Sequence, residues 1–128
     1  MYKPDQALRT IAMVAGAAMA VGALAVSNPA AAASASNGKA LVESHNCAAC
    51  HGPNLNKPVT PEYPKLAGQH SSYVYWALKQ YQMGTSNPKL GRNNAIMQAQ
   101  VQNLSVSDMK DIAAYIESLK ETDLVFKK

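Results

Sequence analysis

The residues most able to do chemistry stand together at Cys47-Ala48-Ala49-Cys50-His51. Cys-x-x-Cys-His is the attachment signal for a c-type haem. On a helical turn, residues three apart share a face. Both thiols can therefore meet one edge of a porphyrin and add across its two vinyl groups as thioethers. His51 then falls beneath the ring, where a neutral imidazole nitrogen can bind the iron. Two other chemistries use the same residue types. A structural zinc site needs four protein ligands; the chain has 2 Cys and 3 His, and His51 adjoins Cys50 too closely to close a tetrahedron comfortably. A thioredoxin-like redox pair expects a βαβ setting, and no strand-like run precedes Cys47. A disulfide across a two-residue gap is a poor structural staple. The cofactor expected from these residues is one covalently attached haem c.

A second axial ligand must then come from downstream. Of the methionines beyond the motif, Met109 belongs to an apolar helical stripe and reads as core. Met83 ends a predicted helix just before Gly84. Met97 sits in a long segment without convincing periodicity, where a chain crossing the haem face can point a thioether at iron. Met97 is favoured, with Met83 the next choice and His70 a bis-His competitor. His45 lies two residues before the motif and cannot reach the opposite face.

The elements that must position these groups read as helices. Ser36-Asn37 can cap a helix running from about Gly38 into the motif. Pro53, Pro58, Pro61 and Pro64 make 52–64 a loop. A second helix opens at Ser71-Ser72 and ends near Met83, with Gly84 as its stop. Tyr73, Trp76, Ala77, Gln80 and Tyr81 recur at helical spacing and predict its core face, widened by Val74 and Leu78. Trp76 or a tyrosine hydroxyl of that face would come within reach of a haem propionate. The 21 residues from Gly84 to Leu104 read as a loop, a length that calls for a function. The last helix is the clearest. Ser105 caps it, Asp108 completes a capping box, and Leu104 and Met109 hold the hydrophobic-staple positions. Met109, Ile112, Ala113, Ile116 and Leu119 form its stripe, to about Lys120. Residues 121–128 read as a frayed tail.

Residues 1–33 read as an export signal. Lys3 and Arg9 mark a basic start, 11–26 is an uncharged Ala- and Gly-rich run, and Ala31-Ala32-Ala33 and Ala33-Ser34-Ala35 offer A-x-A cleavage sites. Cleavage is expected near Ala33 or Ala35. The alternative is a retained anchor, but 16 residues fall short of the roughly 20 that span a bilayer. No stable membrane span is expected after cleavage. The remainder, 34–128, is one domain of 95 residues, short enough that a cofactor plate would supply much of its core. It carries 10 basic and 7 acidic residues with no basic run. That excludes nucleic acid, which calls for a clustered basic face, and suits steering onto acidic protein partners.

Cys47 to Gly52, then Pro64-Lys65-Leu66-Ala67-Gly68-Gln69, then Met97 with Leu104-Ser105 and Asp111 to Ile116, resemble a bacterial class I c-type cytochrome. The likeness covers 38–120 and is to monohaem cytochrome c553 and the half-units of cytochrome c4. It implies a small all-α fold wrapped round one haem, with the first and last helices crossing and Tyr115 packed near Gly38. It also implies that the Pro64 carbonyl accepts the second ring proton of His51, fixing its tautomer, and it offers Arg92 as a propionate partner. His51 and Met97 would be the axial ligands and Cys47 and Cys50 the covalent anchors. The function so implied is periplasmic single-electron transfer, in a respiratory chain, between redox proteins such as an oxidase, reductase or dehydrogenase. The protein is then not an enzyme, and Lys57, Lys65, Lys89 and Arg92 would be docking-rim charges. Two rivals are a haem enzyme or gas-binding protein with an open sixth site, and a permanently bound subunit of a larger oxidoreductase.

Overall fold

A computed structural model describes residues 32–119, so the leader 1–31 and the tail from 120 lie outside the described residues. The described residues are helical and contain no strand, an all-α fold of five helices. They are α1 (Ala35–Ser44), α2 (Ala48–His51), α3 (Ser71–Met83), α4 (Ala95–Val101) and α5 (Val106–Ser118). Single 3₁₀ turns follow α2 at Pro53–Leu55 and α3 at Gly84–Ser86. Among the described residues, no helix is long and apolar enough to cross a membrane.

Helix α5 is the spine. Ser105 Oγ accepts from Asp108 N–H, and the Asp108 carboxylate accepts from Ser105 N–H at 2.9 Å, so two orphan donors of the first turn are satisfied reciprocally. From that start Met109, Ile112, Ala113 and Ile116 point inward and are buried. They meet Val42 of α1, Val74 of α3, Val101 of α4, and Leu55 and Leu104 from the connections. The crossing of α1 over α5 is the most extensive helix pairing. It is close because Gly38 has no side chain: a Cβ there would strike the Asp111 carbonyl and lie 2.8 Å from Tyr115 Cβ.

Three sequence expectations change. Helix α1 begins at Ala35 under a Ser34 cap, with Ser34 Oγ accepting from Asn37 N–H, not under Ser36-Asn37. It also stops before the motif. Asn46 turns left-handed (φ 53°), Asn46 N–H reaches Glu43 O at 3.0 Å, and Cys47 N–H reaches Val42 O at 3.1 Å. That pair of bonds is a Schellman ending.

The second change is on α3. Its limits are as expected, but Tyr73 and Trp76 are half-exposed; Val74, Leu78 and Tyr81 face the core. Tyr73 and Trp76 have surface partners instead: Arg92 lies over the ring of Tyr73, and Trp76 packs edge-on to Tyr75.

The third change is α4 itself, in the segment 84–104 read as a loop. Asn94 Oδ1 accepts from Met97 N–H at 3.0 Å and starts the helix. At its other end, Gln82 Nε2 donates to Val101 O and Leu104 O at 2.8 and 2.7 Å, satisfying carbonyls a helix end leaves open.

Candidate cofactor site

The Schellman ending of α1 releases the chain at Cys47, and the single turn of α2 then fixes the motif. His51 N–H bonds Cys47 O at 3.1 Å and Gly52 N–H bonds Ala48 O at 2.9 Å. Cys47 and Cys50 thus stand one turn apart, both half-buried and not joined in a disulfide. Burial pushes the Cys47 thiol above its ordinary value. His51 is 6% exposed and faces an apolar cleft. Its Nδ1 lies 2.8 Å from the Pro64 carbonyl oxygen. That contact makes Nδ1 the donor and leaves Nε2 with its lone pair and, among the described residues, no hydrogen bond. Tyr63 stands edge-on to the imidazole, ring centroids 6.3 Å apart.

The cleft, about 870 Å³ with its mouth included, is lined by Cys47, Cys50 and His51 on the motif side and by Ile96, Met97, Gln100 and Val101 from α4. Leu55, Leu66, Leu78, Leu104, Ile112 and Ile116 make the rest of its wall almost wholly apolar. Leu55 is held left-handed (φ 55°) with its side chain fully buried. A leucine in that conformation is strained; its carbonyl accepts from Leu66 N–H at 2.8 Å and from Ala67 N–H at 3.2 Å.

Met97 therefore enters the cleft from a helix, not from a loop, as its N3 residue under the Asn94 cap. The structure brings Cys47, Cys50, His51 and Met97 to one cavity. It does not bring Arg92, Met83 or His70 there. Arg92 is engaged on the outer face of α3, with Nε donating to Gln80 Oε1 at 2.8 Å and a terminal nitrogen donating to Tyr73 Oη at 3.3 Å. Met83 sits beside Asn87. His70 stands 3.7 Å from Glu117. Lys57, Lys65 and Lys89 are exposed and do not line the cleft. Among the described residues, no three His, Cys, Asp or Glu side chains cluster as a metal cage. Sequence reasoning missed Asn94, Gln82, Leu55 and Tyr63. Of these only Asn94 carried a local signal, as a cap-type residue before Ala-Ile-Met.

A haem c fits these residues. Two thiols stand at one rim, a buried imidazole offers a free Nε2, and a thioether enters an otherwise apolar cavity.

Comparison with known proteins agrees. A family model, cytochrome c, matches residues 35–120. A cytochrome c4 of Azotobacter vinelandii is 39% identical over 93 residues, covering 70% of this chain and 42% of its own length. A cytochrome c-553 of Helicobacter pylori is 37% identical over 103 residues, 80% of this chain and 95% of its own. The crystal structure of reduced recombinant cytochrome c4 from Pseudomonas stutzeri superposes with a TM-score of 0.61 at 35% identity, covering 70% of this chain and 47% of that one. The chain thus spans less than half the length of these cytochrome c4 relatives and nearly all of the cytochrome c-553.

Proposed function

The chain belongs to the cytochrome c family and carries covalently attached haem c; from that premise we propose that it is an exported, periplasmic monohaem carrier of single electrons. Cys47 and Cys50 would hold the cofactor as thioethers, and His51 Nε2 and Met97 Sδ would be the groups that hold its iron. The observation that carries this is the convergence of His51 and Met97 on one apolar cleft, with the other nitrogen of His51 committed to Pro64 O.

Haem c, when bound, supplies a one-electron iron couple. What the chain's own residues do follows from their setting. The Pro64 carbonyl holds the His51 tautomer and raises the basicity of Nε2. The thioether of Met97 would favour ferrous iron and raise the potential relative to two imidazoles. Leu55, Leu66, Leu78, Ile112 and Ile116 keep water from the site and penalise its more highly charged oxidation state. With His51 and Met97 both holding the iron, no place would be left for a substrate, which favours a carrier over a haem enzyme. The exposed Ile96 marks the mouth where a partner would approach. The basic surplus of residues 34–128 suits an acidic redox partner and acts on association rate and salt dependence more than on affinity.

The test is the absorption spectrum of the oxidised protein and of Met97→Ala. The protein shows a sulfur-to-iron charge-transfer band that the variant loses, and only the variant, when reduced, binds carbon monoxide without denaturant. Carbon monoxide binding by the unaltered protein would overturn the carrier reading in favour of an open-site haem protein.

A further inference from the structure

Asp111 is a buried carboxylate, 8% exposed, that the haem site does not use. Among the described residues no lysine or arginine pairs with it. Its partners are neutral: Ser34 N–H donates to Oδ1 at 2.7 Å and Asn37 Nδ2 to Oδ2 at 3.4 Å. A buried carboxylate without a cation is costly, and neutral donors offset that only in part. The shorter of the two contacts comes from the backbone nitrogen that follows Ala33. Ala32 and Ala33 are exposed and lie outside the helix, whereas Ser34 is already part of the fold, as the cap of α1.

We infer that a signal peptidase cuts between Ala33 and Ser34, and that the α-ammonium created at Ser34 stays on Asp111 as a part-buried ion pair clamping α1 to α5. The cut adds one water across the Ala33–Ser34 bond, leaving a carboxylate on the leader and the ammonium on Ser34. No new contact has to form, because that nitrogen already stands 2.7 Å from the carboxylate. Hydrolysis changes its charge and so turns a neutral hydrogen bond into a charge-assisted one. The other A-x-A site does the reverse. Cutting after Ala35 would remove Ser34, and with it both the cap and the short bond to Asp111.

This rests on the export reading, and the experiment separates the two. The haem-loaded protein is purified from a host equipped for cytochrome maturation, and its intact mass and N-terminal sequence are determined. A chain starting at Ser34 with one haem is expected. A chain starting at Ser36 overturns the inference and leaves export standing; a chain retaining the whole leader overturns export itself. The clamp is then measured by Asp111→Asn in two backgrounds, one starting at Ser34 and one with Ala32-Ala33 retained ahead of it. The substitution is expected to raise the unfolding constant about tenfold more in the chain starting at Ser34. Equal effects in both backgrounds mean the ammonium contributes nothing and overturn the clamp. Should Asp111→Asn not fold, the two parent chains carry the same test: the one starting at Ser34 must be the more stable.

Discussion

His51 and Met97 line one cleft but are held there by different means. The His51 side is assembled from a single stretch of chain, 42–64. A Schellman ending, one helical turn and a carbonyl thirteen residues on fix the imidazole within hydrogen-bond precision. The Met97 side is a helix of 7 residues, too short to be stable alone. Its start depends on the Asn94 side chain and its end on Gln82, which reaches across from α3. One side is local chemistry; the other is local only at its cap and otherwise borrowed from tertiary contact. Loss at the first should therefore cost the protein its cofactor environment, and loss at the second should loosen a ligand.

The largest expected difference follows directly. His51→Ala removes a buried ring and leaves the Pro64 carbonyl without its donor. Haem-stained protein is expected to fall at least about tenfold in a host equipped for cytochrome maturation, since one kcal/mol or two of lost stability already changes abundance several-fold. Met97→Ala should retain the stain at near-normal yield. Equal losses for both would mean the two sides are not built differently.

A smaller effect tests the borrowed side. Gln82→Leu leaves Leu104 O without its side-chain donor and Val101 O with only the Leu104 N–H, at about 2 kcal/mol. The loss, read by denaturant unfolding, should be accompanied by faster hydrogen exchange at α4 amides while amides of α2 keep their protection. Uniform loosening would show that Gln82 supports the whole core and not α4 in particular.

The same division explains what could be read from the chain. The haem motif, the ends of α3, and the cap and stripe of α5 were legible because each is written in neighbouring residues: Cys-x-x-Cys-His, Met83-Gly84, Ser105 with Asp108. Helix α4 was not, because its interior offers only Val101 as a fully buried side chain and Gln98 and Gln100 break the apolar pattern. The inward face of α3 was misjudged for a related reason. Tyr73 and Trp76 keep helical spacing, yet spacing does not tell a core from a surface on which Arg92 and Tyr75 supply the packing. The sequence puts the cap of α1 at Ser36, two residues late, because Ser34 and Ser36 are equally good caps. Asp111, 77 positions away along the chain, distinguishes them.

The smallest expected effect belongs to a region that touches neither side of the cleft and so serves as the reference for both. The Ser105 N–H, and then the Ser105 side chain, hold the Asp108 carboxyl below the usual carboxylate range. A carboxyl lowered in the folded state contributes stability that is complete above its unfolded value, near pH 4, and is lost as the pH falls through the lower folded value. Asp108→Asn cannot take part in that titration. The melting-temperature difference between the parent and Asp108→Asn should therefore be constant from pH 7 to about 5, then shrink steadily below about pH 4. The spectrum of the haem should be the same in both proteins across the flat part of that range, because the capping box sits at the far end of α5 from Ile116 and contributes no residue to the cleft. A gap that widens on acidification would mean Asp108 is more easily protonated folded than unfolded, and the capping box would then not be the source of its effect.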